Sequence, residues 1–276
     1  MRSGAATLLL GFCALCGVVA AIPLGDNDVA TGDVAGAGGQ RVLFEDGFDG
    51  RHIDQSSWNT CFWWADKGCT IATNKELEWY LAKQVRAGDG VLRLVAKRRP
   101  AGGSDRAAHP FVSGMISSGP PHHSRIPKFA FRYGTAEVRA SIPHGKGLWP
   151  AFWLLPASRR SKPEIDVMEV RGQAADTVGM NFHYRTAGGR VIDRGRSWTD
   201  PALASGWHTF AVNWRPGKLV WLIDGVPRWH LSGPAVPDER MYLIANLAVG
   251  GDWPGRPDSS TRFPTDFKLD YVKVSK

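Results

Sequence analysis

Cysteine is scarce in this chain: Cys13, Cys16, Cys61 and Cys69 are all it has in 276 residues. Cys61 and Cys69 have no histidines nearby, which makes them a poor zinc site. Long apolar runs are equally rare. Only the stretch 8–20 approaches one, and it falls short of the roughly 20 residues that a spanning helix needs. Helical apolar periodicity sustained beyond two turns is missing, which argues against a helical bundle. Acidic residues are outnumbered 26 to 34 by Lys and Arg, a net charge of +8 that raises the question of nucleic acid. The basic residues are scattered, however, with short clusters only at 97–99 and 159–162. Neither helix-turn-helix nor zinc-finger spacing accompanies them, so the surplus reads as solvated surface charge and no nucleic-acid partner is expected. A composition of 43% hydrophobic and 22% charged residues excludes a disordered or collagen-like chain.

The amino terminus has the pattern of an export signal. Arg2 precedes the apolar stretch, and Ala20 and Ala21 offer small residues for cleavage. Residues 1–21 are therefore expected to be a signal peptide, and residues 22–40, rich in Gly, Ala and Asp, a flexible leader. Residues 41–276 would form one secreted domain with no stable membrane association, expected to be a monomer. Cys16 follows Leu15, a poor fit to the small residue that lipoprotein cleavage prefers. Cys13 and Cys16 would leave with the signal, and the exported pair Cys61 and Cys69 is expected to form a disulfide.

From Arg41 onward the punctuation is that of an all-β protein. Short apolar or alternating runs at 91–96, 136–142, 178–184, 209–214, 219–223 and 269–274 recur between Gly, Pro and Asp clusters. Asp89-Gly90 and Asp224-Gly225 are turn signals beside such runs. So many strands in one domain predict two packed antiparallel sheets, a β-sandwich or jelly roll.

The most informative segment is Glu164-Ile165-Asp166-Val167-Met168-Glu169. Strand side chains alternate faces, so Glu164 and Asp166 share one face and Glu169 falls on the other. One extra residue at Val167-Met168, a β-bulge, would return Glu169 to the acidic face. Three carboxylates held together repel, and at least one pKa should rise. An exposed acidic strand or a cation site remains open at this point. The chemistry that needs two such groups is retaining glycoside hydrolysis, where the carboxyls sit about 5 to 5.5 Å apart.

The same six residues resemble the E-x-D-x-x-E signature of glycoside hydrolase family 16, in the bulged form of its laminarinase-like branch. Further blocks resemble that family in family order. They are Phe44-Glu45-Asp46-Gly47-Phe48, Phe131-Arg132-Tyr133-Gly134 leading to Glu137 and Arg139, the segment 147–156, Asn246 to Gly251 with Trp253-Pro254-Gly255, and Leu269-Asp270-Tyr271-Val272. The resemblance covers residues 41–275. It implies a concave jelly-roll cleft and an endo-acting, retaining β-glycosidase, with β-1,3-glucan of the laminarin type as expected substrate. Mixed-linkage glucan, galactan, an exopolysaccharide or transglycosylation are the alternatives, with a non-catalytic glycan-binding sandwich as the rival of another class. Position by position, Glu164 would be the nucleophile, Glu169 the general acid/base, and Asp166 the residue that tunes Glu164. No cofactor would be needed. A structural calcium of the kind many members carry would use Asp270.

Tryptophan, at 12 residues against 5 Tyr, suits a surface that grips flat sugar faces. Alternation puts Trp149 and Trp153 on one face and Phe152 and Leu154 on the other, so the tryptophans stand in the cleft if Phe152 and Leu154 are core. Trp253, in a Pro-flanked loop, is a further sugar platform, whereas Trp214 and Trp221 read as core. Trp63 and Trp64, between the cysteines, either edge the cleft or pack the loop. His183 and Asn74 are expected to bind sugar by resemblance, and Arg139 to support the cleft from behind or pair with Glu137.

Overall fold

The computed structural model describes residues 41–64 and 68–276. The expected signal and leader, 1–40, lie outside the described residues. The chain runs through β1 (Val42–Asp46), β2 (Glu78–Tyr80), β3 (Val85–Gly88), β4 (Val91–Gly102), β5 (Ala108–Ser113), β6 (Met115–Ser117), β7 (Gly134–Ser141) and β8 (Leu148–Pro156). It continues through β9 (Glu164–Val170), β10 (Thr177–Arg185), β11 (Val191–Thr199), β12 (His208–Arg215), β13 (Lys218–Ile223), β14 (Val226–Ser232), β15 (Met241–Val249) and β16 (Thr265–Ser275). Helical structure among the described residues is confined to short 3-10 turns. No helix among them is long and apolar enough to cross a membrane.

Two sheets form the expected sandwich. One carries ten strands along the path β14-β13-β12-β7-β16-β4-β5-β2, with β1 beside β16 and β3 beside β4. The other has the order β11-β10-β9-β8-β15-β6. Pairing is antiparallel except between β2 and β5, which run parallel. The six sequence-predicted runs all fall in strands, although 136–142 ends at Ser141.

The core lies between the sheets and follows from strand alternation. Phe152 and Leu154 of β8, Ile165 of β9 and Met180 and Phe182 of β10 point inward and are fully buried. They meet Phe210, Val212 and Trp214 of β12 and Leu219 and Trp221 of β13. Trp214 and Trp221 are core, as expected, and Trp221 stacks on Trp229 with ring centroids 4.3 Å apart.

β9 is bulged where the spacing required it. Phe152 pairs with Met168 but Trp153 with Asp166, which leaves Val167 without a partner on β8. The ladder to β10 skips at the same place, between Glu169 opposite Gly179 and Asp166 opposite Asn181. Val167 and Met168 are both buried in the core, so the acids on either side emerge on the same outer face. Trp221 supports this irregularity from the opposite sheet: its Nε1 donates to the backbone carbonyl of Asp166 at 2.8 Å. Replacing Trp221 by Phe would keep most of the packing and orphan that buried carbonyl. The expected cost is about 1–3 kcal/mol, measurable as a lower urea midpoint with an unchanged slope. A midpoint equal to the parent's would show that the carbonyl finds another donor.

Candidate active site

The outer face of the six-stranded sheet forms the floor of a cleft of about 1040 Å³. Glu164, Asp166 and Glu169 line it from β9, Asn181 and His183 from β10, and Trp149 and Trp153 from β8. Loops supply Asn74 and Trp253 at one end and Arg159, Arg160 and Lys162 at another part of the wall. Trp63 and Trp64 also line the cleft, held beside it by the Cys61–Cys69 disulfide, whose Cα atoms are 5.5 Å apart.

Cross-strand register arranges the polar groups in rows. Glu164 of β9 lies opposite His183 of β10, which lies opposite Asp193 of β11. Lys162 Nζ is 3.0 Å from Glu164 Oε2, and His183 Nε2 is 3.9 Å from Glu164 Oε1. His183 Nε2 also stands 3.0 Å from Asp166 Oδ2. That is an ion-pair approach without hydrogen-bond alignment, since no donor is aimed at this buried oxygen. The other ring nitrogen, Nδ1, bonds Asp193 Oδ1 at 2.5 Å.

Glu169 has neutral partners instead. Trp149 Nε1 donates to its Oε1 at 3.0 Å and Asn181 Nδ2 to its Oε2 at 2.6 Å. Trp149, expected as a sugar platform, thus also orients an acid, and its ring leans on Trp253 with centroids 5.2 Å apart. Trp253 is the more open of the two, 41% exposed, with the Arg171 guanidinium over its ring. Trp153 forms buried floor, 7% exposed, its Nε1 bonded to Asn246 Oδ1 at 2.8 Å.

Burial and charge set the protonation of the acids. Burial pushes Glu169 up to about 8, with Asp166 adding to the rise and Asn181 opposing it. Glu164 is pushed up to about 7 by burial and by Asp166, while Lys162 and His183 pull it back. Burial would lower His183, but contacts with Asp166 and Asp193 outweigh it and raise the imidazole to about 9.

Sequence reasoning missed several of these groups. Lys162, Asn181 and Asp193 carry no motif signal, although Asn181 shares a face with His183 by simple alternation. Glu76 and Glu78 form a buried carboxyl pair at the wall, both raised by burial. Glu76 Oε1 accepts from Asn74 Nδ2 at 2.9 Å and so holds the predicted sugar-binding Asn74.

Glu164, Asp166 and His183 are the one grouping of metal-ligating side chains found among the described residues, their donor atoms within 4.8 Å of one another. A histidine ligates through a neutral nitrogen, whereas the acids around His183 favour its protonated form. The expected calcium residue does not fit its role. Asp270 Oδ2 is bound by Arg139 Nη1 at 2.6 Å, and that guanidinium already supplies the cation. Arg139 therefore pairs with Asp270 rather than with Glu137, which accepts from Tyr271 Oη at 2.7 Å.

An all-β sandwich with a bulged three-acid strand on the floor of an aromatic-edged cleft has the architecture of a polysaccharide-processing jelly roll. The chain belongs to glycosyl hydrolases family 16, whose family model matches residues 61–273. Endo-1,3-1,4-beta-glycanase ExsH of Rhizobium meliloti (strain 1021) is 35% identical over 231 residues, which cover 79% of this chain and 47% of that protein. Endo-1,3-1,4-beta-glycanase EglC of the same organism is 33% identical, over 84% of this chain and 50% of its own length. The chain thus spans about half the length of these two relatives. In structure it resembles the endo-beta-1,3-glucanase from Pyrococcus furiosus with a TM-score of 0.75 and 29% identity, over 86% of this chain and 94% of that one.

Gly195 on β11 faces Asn181, and a Cβ placed there would lie 2.1 Å from Asn181 Oδ1. Gly195→Ala should therefore drive Asn181 off Glu169. Losing a donor to the carboxylate disfavours the ionised form, so the Glu169 pKa is expected to rise above about 8. Carboxyl carbon-13 titration reads this directly, and an unmoved Glu169 would mean the amide rearranges without letting go.

Proposed function

We propose that this protein is an exported, monomeric, endo-acting β-glucanase that cleaves β-1,3 linkages in laminarin-like glucans by double displacement, with retention. The observation that carries the reading is the placement of Glu164 and Glu169 on one cleft face, on either side of Asp166, with different neighbours. Glu169, the more basic carboxyl, donates its proton to the leaving glycosidic oxygen as the bond to the anomeric carbon breaks. Glu164, ionised, attacks that carbon to form a glycosyl ester. Water then attacks the ester, giving its proton to Glu169 and releasing Glu164. Asp166 stays buried between them and raises both, while Lys162 and His183 pull Glu164 back below Glu169. Trp253 and the floor at Trp153 offer apolar faces to pyranose rings.

The substrate assignment draws on the Pyrococcus furiosus endo-beta-1,3-glucanase as structural neighbour. A second reading, mixed-linkage β-glucan, draws on the 1,3-1,4 specificity in the names of the two Rhizobium meliloti relatives. Export draws on the signal-like residues 1–21 and on the Cys61–Cys69 disulfide.

Product analysis on laminarin, lichenan and mixed-linkage β-glucan decides between the two substrates, and proton NMR of fresh product should show the β-anomer first. An α-anomer formed first would rule out retention. Glu164→Gln should abolish turnover and leave glucan binding intact; near-normal hydrolysis would sink the nucleophile assignment. Trp153→Ala should weaken glucan binding, and an unchanged Kd would confine that ring to a packing role. In the free enzyme, activity should rise as Glu164 ionises near pH 7 and fall as Glu169 loses its proton near pH 8. A kcat/KM profile flat across that interval would contradict the assignment of both acids.

A further inference from the structure

We propose that Lys162 and His183 form a cationic clamp on Glu164, one cation to each carboxylate oxygen, with Asp193 the residue that positions His183. The proposal rests on the reading of Glu164 as the nucleophile and assigns roles to two residues, Lys162 and Asp193, that lie outside the three-acid motif.

The geometry is built from the loop before β9 and from the edge strand β11. Lys162 stands two residues before Glu164, ahead of Pro163, and its ammonium is 3.0 Å from Glu164 Oε2. Both side chains are about four-fifths buried, at 20% exposure each, so water screens the pair weakly. From the other side His183 Nε2 lies 3.9 Å from Glu164 Oε1 and 3.0 Å from Asp166 Oδ2, so its charge serves both acids. His183 is aimed by its second nitrogen: Nδ1 bonds Asp193 Oδ1 at 2.5 Å, directly across the β10–β11 ladder. A hydrogen bond on one ring nitrogen fixes what the other presents. Asp193, His183 and Glu164 therefore form one cross-strand row of alternating charge over three strands.

The charged and titratable groups around this row come from every neighbouring element. β9 contributes Asp166 and Glu169, the preceding loop Lys162, β10 His183, β11 Asp193, and β15 Tyr242, whose phenol burial holds in its neutral form. Asp166 opposes ionisation of Glu164, and only Lys162 and His183 favour it. Lys162 contacts the nucleophile carboxylate itself. Asp193 touches no reacting atom and is a positioning residue that acts through His183.

The test uses the folded full-length domain with carbon-13-labelled glutamate and nitrogen-15-labelled histidine. In Lys162→Met the Glu164 carboxyl should titrate about one pH unit higher than in the parent, with Lys162→Arg restoring most of the shift. The acid limb of kcat/KM on laminarin should move up by the same amount while KM stays within about twofold. In Asp193→Asn the His183 ring should titrate below its parent value of about 9. An unmoved Glu164 titration in Lys162→Met, or a His183 titration indifferent to Asp193→Asn, overturns the clamp. Failure of the unmodified protein to cleave laminarin would count against the β-1,3-glucanase reading alone, because the NMR titrations need no substrate.

Discussion

The site depends on one irregularity, the unpaired Val167 in β9. A regular strand of six residues cannot put its first and last side chains on the same face. Here Val167 and Met168 both turn inward, and the cost of the broken ladder is offset by burying two large apolar side chains. The core thus determines where the acids point. The indole of Trp221 reaches through that core to the Asp166 carbonyl, so the ten-stranded sheet takes part in holding the acidic face of the other. Core and site are not separable in this fold, and the residues that stabilise one also aim the other.

Much of this was legible in the sequence. Alternation separated Phe152 and Leu154 from Trp149 and Trp153, and the acid spacing called for a bulge at the position where the ladder slips. Both inferences use periodicity along a single strand, and the pleat enforces that. What stayed hidden depends on register between strands. Nothing in the run of residues 185–199 says that Asp193 will face His183, or that Gly195 leaves the space Asn181 occupies. The double role of Trp149 was hidden for the same reason, since an indole N–H near an acid twenty residues away is a fact of pairing between β8 and β9. Asp270 shows the opposite failure. A carboxylate in the expected position was already taken by Arg139, which arrives from the neighbouring strand β7.

Three acids on one buried face would be unstable if each were ionised, so the surroundings must place the protons. Glu76 and Glu78 meet the same problem at the cleft wall by sharing hydrogen bonds within a buried pair. On β9 the solution is different, because the acids must be distinguishable. Both glutamates are well buried and both feel Asp166, so desolvation alone would give them similar pKa values.

The kinds of neighbours break that symmetry. Glu169 is contacted by the indole of Trp149 and the amide of Asn181, neutral donors that orient it and carry no net charge. Glu164 is contacted by an ammonium and an imidazolium. A full charge nearby stabilises a carboxylate more than a dipole does at similar range, so of the two groups Glu164 gives up its proton first. An acid that keeps its proton and a nucleophile that has lost its own are what the proposed double displacement needs at the start. The chain achieves the difference with residues from a loop and two neighbouring strands, leaving the acids themselves nearly equivalent in burial.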